Sequence, residues 1–184
     1  KVARGGITGM IGPNGSGKTT LFNSIVGYHP IDSGSIRFED QEISTFRVQK
    51  IARLGLLRTF QQTRIYGKMN CVQNMLISIP HRRAGFWDMF GGHEAEDRDK
   101  AEHLLEFVGL YEKRLLMGGD LSFGQQKLLE FAMALMNEPS VLMLDEPTAG
   151  INPTLINGLI DRLKRANEEF GITLFVIEHN MRVH

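Results

Sequence analysis

The sequence predicts a parallel α/β core interrupted by an α-helical subdomain. Three observations carry that reading. Strand-like and helix-like segments alternate at both ends of the chain. A block of helical patterns fills the middle. Val141-Leu142-Met143-Leu144 is a continuous apolar run of the kind that forms a strand buried on both faces.

Taken in order, Gly6 to Ile11 is a short, apolar, glycine-punctuated strand, and Gly12 to Gly17 is a loop. Lys18 to Val26 reads as a helix stopped by Gly27, and Ser35 to Phe38 as a short strand after the Ser33-Gly34 turn. Ser44 to Arg53 is expected to be helical, and Leu56 to Gln61 to be a strand running into a loop. The middle holds helices at Asn70–Ile79, Glu94–Val108 and Phe123–Asn137; in the second, Ala101, Leu104, Leu105 and Val108 share one face. Between the first two lies a linker, Pro80 to Gly92, whose Trp87 and Phe90 read as packing residues rather than a nucleic-acid platform. Asn152-Pro153 is a helix start, an N-cap residue followed by Pro at the first helical position. Ile156, Leu159, Ile160, Leu163 and Phe170 then recur at helical spacing up to Gly171, and Thr173 to Ile177 is a second buried strand.

A chain of 184 residues suits one domain, or one domain with a small subdomain. With 42% hydrophobic and 23% charged residues it can build a packed core. The net charge of +0 makes no global electrostatic case for nucleic acid or an anionic membrane surface, and no nucleic-acid partner is expected. The lone Cys71 cannot form an internal disulfide, fits a reducing compartment, and reads as a small buried residue. No apolar run is long enough to span a bilayer, and no signal-peptide pattern opens the chain. The chain begins at Lys1, almost directly in a strand, and stops at His184 just beyond another, so both ends read as cut.

Gly12-Pro13-Asn14-Gly15-Ser16-Gly17-Lys18-Thr19 fits the pattern G-x-x-x-x-G-K-[ST] between a strand and a helix. The glycines let the backbone turn tightly and approach a ligand closely. Successive N–H groups and the helix N-terminus then present partial positive charge to phosphate oxygens. Lys18 is placed to reach the β- and γ-phosphates, the Thr19 hydroxyl to ligate Mg²⁺, and Thr20 to assist. The loop alone does not separate ATPases, GTPases and kinases; no N-K-x-D segment supports a guanine-specific GTPase.

Asp145 and Glu146 put two adjacent carboxylates at the end of the apolar run, where burial is costly without a compensating cation. An apolar strand ending in Asp is the Walker B pattern of phosphate-loop NTPases, whose Asp helps to hold Mg²⁺. Asp145 is assigned that cation. Glu146, one residue on, points elsewhere and could polarise a water on the γ-phosphate as general base or orienter.

Leu121-Ser122-Phe123-Gly124-Gln125-Gln126-Lys127 resembles the LSGGQ signature of ATP-binding-cassette (ABC) ATPases. His179 stands where that family has its switch histidine, and Gln61, in Arg58-Thr59-Phe60-Gln61, where it has its Q-loop glutamine. Five motifs follow the family's order, and the resemblance covers nearly the whole chain. R-T-F-Q, F-G-Q-Q-K-L-L-E and D-E-P-T-A-G-I-N-P are similar to the ATP-binding subunits of branched-chain amino-acid transporters.

The resemblance implies a P-loop NTPase core of the ABC type with an inserted helical subdomain, truncated at both ends. Residues 1–61 would be the first part of the core, 62–138 the helical subdomain with the signature, and 139–184 the second part of the core. It implies a Mg²⁺-dependent ATPase that works as a head-to-tail homo- or heterodimer with two ATPs at the interface. Gly12, Asn14, Gly15, Ser16, Gly17, Lys18, Thr19 and Thr20 would bind ATP in one subunit. Ser122, Gly124 and Gln125 would face that ATP from the other. Thr19, Gln61 and Asp145 would serve the metal; Glu146, His179 and Gln61 would serve catalysis. Transmembrane permease subunits would dock on the helical subdomain, with a solute-binding protein as an indirect partner, at the cytoplasmic face of the inner or plasma membrane. The cycle would energise import of branched-chain amino acids or a related small polar solute.

A soluble ABC ATPase acting on ribosomes or DNA is the alternative; the DNA-repair form would need long coiled coils between phosphate loop and signature, and no sustained heptads occur there. The presence of both Lys18 and Glu146 argues against a binding-only cassette. Two departures stand out. Phe123 replaces the first signature glycine, which would reduce backbone freedom, and Asn152 stands where the family often has Asp. Residues 1–11 also lack the aromatic that would stack on adenine. The chain alone is therefore expected to bind ATP more weakly, by about 1–3 kcal/mol on the scale of base–aromatic stacking.

Overall fold

The structure is a computed structural model that describes residues 1–59, 65–79 and 92–178. Gln61, His179, Trp87 and Phe90 lie outside the described residues. In chain order the elements are β1 (Ile7–Ile11), α1 (Lys18–Ile25), β2 (Arg37–Phe38), β3 (Gln41–Glu42), α2 (Val48–Arg53) and β4 (Leu56–Arg58). Then follow α3 (Cys71–Ile77), α4 (Gly92–Phe107), α5 (Phe123–Leu135), β5 (Val141–Asp145), α6 (Pro153–Phe170) and β6 (Thr173–Glu178).

β1, β6, β5 and β4 hydrogen-bond in that order into a parallel sheet. The two apolar runs become its inner strands, β5 and β6, as continuous hydrophobicity requires of strands covered on both faces. Phe22 of α1, fully buried, packs its ring 4.9 Å from that of Phe175 on β6, within a cluster that includes Val26, Ile51, Leu56, Met143 and Ile177. The helix that follows the phosphate loop is thereby fixed to the sheet.

The chain divides into two compact units. One comprises Lys1–Gln61, Pro139–Ala149 and Leu163–His184; the other comprises Gln62–Glu138 and Gly150–Arg162. Residues 150–162, grouped with the core in the sequence reading, pack with the helical unit. The Arg162 Nε donates to the Val108 carbonyl at 2.7 Å, and Leu155 packs so closely on Gly124 that an added Cβ would lie 2.9 Å from its Cδ1.

The helix expected from Ser44 starts only at Val48. Its first residues instead close a hairpin that the sequence reading did not contain. β2 and β3 pair Arg37 with Glu42 and Phe38 with Gln41, with Glu39 at φ 53 in the two-residue loop. The Ser44 Oγ accepts from the Ile36 N–H at 2.8 Å, and the Phe46 N–H closes a turn on the Ile43 carbonyl. A serine committed to a neighbouring strand in this way competes with helix extension.

In the helical unit Asn70 and Gln73 form a reciprocal capping box at the start of α3. Buried Asn74 spends its side chain on the Tyr66 N–H and the carbonyls of Tyr66, Met69 and Asn70, and so shapes the approach to that helix. Cys71 is buried and its thiol donates toward the Lys113 carbonyl; burial pushes its pKa up.

Truncating Phe22 to Ala should cost about 3–5 kcal/mol, a fall in Tm on the order of 10 °C for a chain of this size, read by thermal denaturation. Cys71 should react with a thiol reagent far more slowly in the folded chain than in denaturant, because both its burial and its raised pKa withhold the thiolate.

Candidate active site

The turn between β1 and α1 is built by conformation at two glycines and by close approach at a third. Gly15 and Gly17 sit at φ 79 and φ 87, in the left-handed region, with open space where a Cβ would project. Glycine is needed there for its backbone freedom rather than for room. At Gly12 the reason is space, since a Cβ would stand 2.9 Å from the Ser16 Oγ. The Lys18 ammonium folds back along the loop, donating to the Gly12 carbonyl at 2.7 Å and to the Pro13 carbonyl at 2.9 Å. An ammonium has three protons, so these bonds hold the charge at the loop while leaving a donor for a ligand.

A cavity of about 490 Å³ opens beside this turn, lined by Asn14, Gly15, Gly17, Lys18, Thr19, Thr20 and Glu146. The structure thus unites most of the expected phosphate-binding residues with the second of the two carboxylates. Gly12 and Ser16 shape the loop and are not among the lining residues.

The adjacent carboxylates part company. β5 ends at Asp145, which is 2% exposed. Glu146 leaves the strand in the left-handed region, at φ 51, with its N–H on the Ile177 carbonyl at 2.9 Å. A non-glycine residue held there stores of order 1–3 kcal/mol of backbone strain, a feature that concentrates at working sites. Two residues on, the Thr148 N–H and hydroxyl both donate to one oxygen of Glu178, at 3.1 and 2.8 Å. The end of β6 therefore anchors the loop that carries Glu146.

Asp145 already meets a positive charge of the chain itself. The Arg58 Nη2 lies 2.5 Å from the Asp145 Oδ2, with side-chain exposures of 5% and 1%, and the Arg58 Nη1 donates to the Asn23 Oδ1. The sequence reading quoted Arg58 without giving it a role, and overlooked Glu178. Each carried a signal: a charged residue within or at the end of an otherwise apolar strand needs a partner.

The Asp145 Oδ1, also buried, accepts no hydrogen bond among the described residues. A buried carboxylate oxygen without a hydrogen-bond partner is the kind of donor that a hard cation takes. No cluster of three His, Cys, Asp or Glu side chains occurs among the described residues, so such a cation would depend on phosphate oxygens as well, in the usual manner of Mg²⁺.

Ser122, Gly124 and Gln125 lie in the helical unit at the start of α5. The Ser122 Oγ accepts from the Gln125 N–H, and the Gln125 Oε1 accepts from the Ser122 N–H. The Ser122 hydroxyl keeps its own proton to donate, and its side chain is exposed. Phe123 occupies the first helical position, where no left-handed backbone is needed, so its replacement of glycine costs the helix start nothing in conformation. Gly124 is needed for its small size under Leu155.

The profile of the family described as ABC transporter matches residues 1–149. A high-affinity branched-chain amino acid transport ATP-binding protein, BraF of Pseudomonas aeruginosa, is 39% identical over all of this chain and 74% of its own length. An ATP-binding cassette of an ABC transporter, solved in its ADP conformation, is 34% identical and superposes with a TM-score of 0.85 over 99% of this chain and 73% of its own. A cassette from Clostridium perfringens, described as part of the cbiONQ ABC transporter complex, is 28% identical with a TM-score of 0.87, covering all of this chain and 70% of its own.

Replacing Gly17 by Ala should destabilise the chain by about 1–2 kcal/mol, because a left-handed φ disfavours any Cβ, and should weaken phosphate-ligand binding. Chemical denaturation and nucleotide titration of the same variant measure both.

Proposed function

Because the chain belongs to the ABC transporter family of ATP-binding subunits, we propose that its phosphate-loop cavity is where it binds and hydrolyses ATP to drive import of branched-chain amino acids or a related small polar solute. The carrying observation is the single cavity that joins Lys18, Thr19 and Glu146. Phosphate oxygens would meet the N-terminus of α1, the loop N–H groups and the remaining proton of Lys18. Glu146 is the carboxylate that reaches the cavity, and it would orient or deprotonate the attacking water. Mg²⁺, held by Thr19 and Asp145 together with phosphate oxygens, would neutralise charge on the transferred group.

Gln61 and His179 would serve as sensor and switch, as the motif order implies. A second ATPase subunit, identical or related, would present Ser122, Gly124 and Gln125 to this ATP; the exposed Ser122 hydroxyl supports that role. Docking of transmembrane permease subunits on the helical unit is supported by its exposed Tyr66, Leu115, Leu116 and Met117, beside the bridge between Asn70 and Met117 in which the Cys71 N–H meets the Leu116 carbonyl and the Gly118 N–H the Met69 carbonyl. No helix among the described residues is long and apolar enough to cross a membrane, so attachment would be peripheral, at the cytoplasmic face. A solute-binding protein would act one step removed. Similarity to a branched-chain amino acid transport ATP-binding protein and to part of an ABC transporter complex favours this reading over a soluble ATPase acting on ribosomes or DNA.

Glu146→Gln should retain nucleotide binding while steady-state ATP turnover falls by roughly 10²-fold or more. Lys18→Ala should lose binding itself. Equal turnover in Glu146→Gln and the unaltered chain would remove Glu146 from the hydrolytic role.

A further inference from the structure

Arg58 is a charged side chain at the end of a short, otherwise apolar strand, and its contacts reach three other residues of the core. Its two arms diverge, Nη2 to the Asp145 Oδ2 and Nη1 to the Asn23 Oδ1, and its guanidinium lies 5.6 Å from the centre of the Phe22 ring. Asn23 and Phe22 belong to α1, the helix whose N-terminus faces the cavity. In the β4–β5 register Arg58 stands opposite Met143, and Asp145 lies two residues further along the same face of β5. Only a planar fork reaches both acceptors at once; a lysine has a single ammonium to place. Asp145 is left with one oxygen fully engaged and the other, Oδ1, buried without a hydrogen-bond partner among the described residues. An unpaired buried acceptor is costly, and it is where a cation would bind.

We propose that Arg58 is the internal counter-ion of Asp145, occupying Oδ2 so that Oδ1 is the oxygen left to a divalent cation. The inference rests on the reading of Asp145 as a metal-holding group. It has two consequences. Without metal, the guanidinium alone keeps the buried carboxylate compensated. With metal, two cations share one carboxylate, so Arg58 lowers the affinity for the divalent ion.

The test follows binding of a fluorescent ADP analogue as Mg²⁺ is titrated, with thermal denaturation of the same proteins without ligand. Arg58→Met should lower Tm by roughly 10 °C, the scale for breaking a buried ion pair. Arg58→Met combined with Asp145→Asn should recover most of that loss, because removing both charges strands neither. In Arg58→Met the half-saturating Mg²⁺ concentration should fall at least about three-fold, since a nearby positive charge is gone. Arg58→Lys folds with its charge intact, so it should keep a half-point within about two-fold of the unaltered chain while losing part of the Tm, the second arm to Asn23 being absent. A merely structural Arg58 would change Tm and leave the Mg²⁺ half-point where it was; that result, or a half-point that rises, overturns the inference. Failure of the unaltered chain to bind the analogue in any Mg²⁺-dependent way would overturn the metal-site reading first, and this inference with it.

Discussion

A carboxylate buried at the end of an inner strand has to be met by positive charge, and here that requirement organises the unit around it. Asp145 draws Arg58 from the neighbouring strand, and Arg58 in turn reaches Asn23 and Phe22 on α1. One guanidinium thus ties β4, β5 and the helix of the phosphate loop together. The apolar packing of Phe22 on Phe175 does the same from the core side. The loop's glycines then turn on a rigid base, at left-handed backbone angles that glycine adopts without strain.

The same base separates the two carboxylates. Strand geometry sends alternate side chains to opposite faces, and β5 ends as Glu146 adopts a left-handed backbone. Asp145 remains inside, against Arg58, and Glu146 reaches the cavity. The strain at Glu146 is balanced by its N–H on the Ile177 carbonyl and by the two hydrogen bonds that Thr148 donates to Glu178. Both ties run to β6, so the end of that strand anchors the loop that carries Glu146.

The helical unit follows a different logic. Its signature segment is a helix start stabilised by its own capping box, and it leaves Ser122 exposed with a proton to give. The substitution of Phe123 for glycine matters little because the position is helical, whereas Gly124 answers to a neighbouring side chain. In both places the packing, rather than the motif, says why the residue is tolerated or required.

Much of this was legible in the sequence because it depends on local chemistry. The glycine pattern, the Lys-Thr pair that opens α1, the apolar runs of β5 and β6 and the stop at Gly171 are read from neighbours along the chain, and they determined the parallel core, the phosphate loop and the order of the motifs. The β2–β3 hairpin was not legible, because Ser44 bonds across to Ile36 rather than along a helix. Nor was the membership of residues 150–162, which depends on Arg162 meeting Val108 and Leu155 meeting Gly124. Above all, the sequence reading named Mg²⁺ as the cation for Asp145 and gave no sign that a side chain of the chain itself also meets it. Only the tertiary structure shows that Arg58, distant along the chain but adjacent in the sheet, meets the carboxylate, because a buried charge is settled by whatever the fold places beside it.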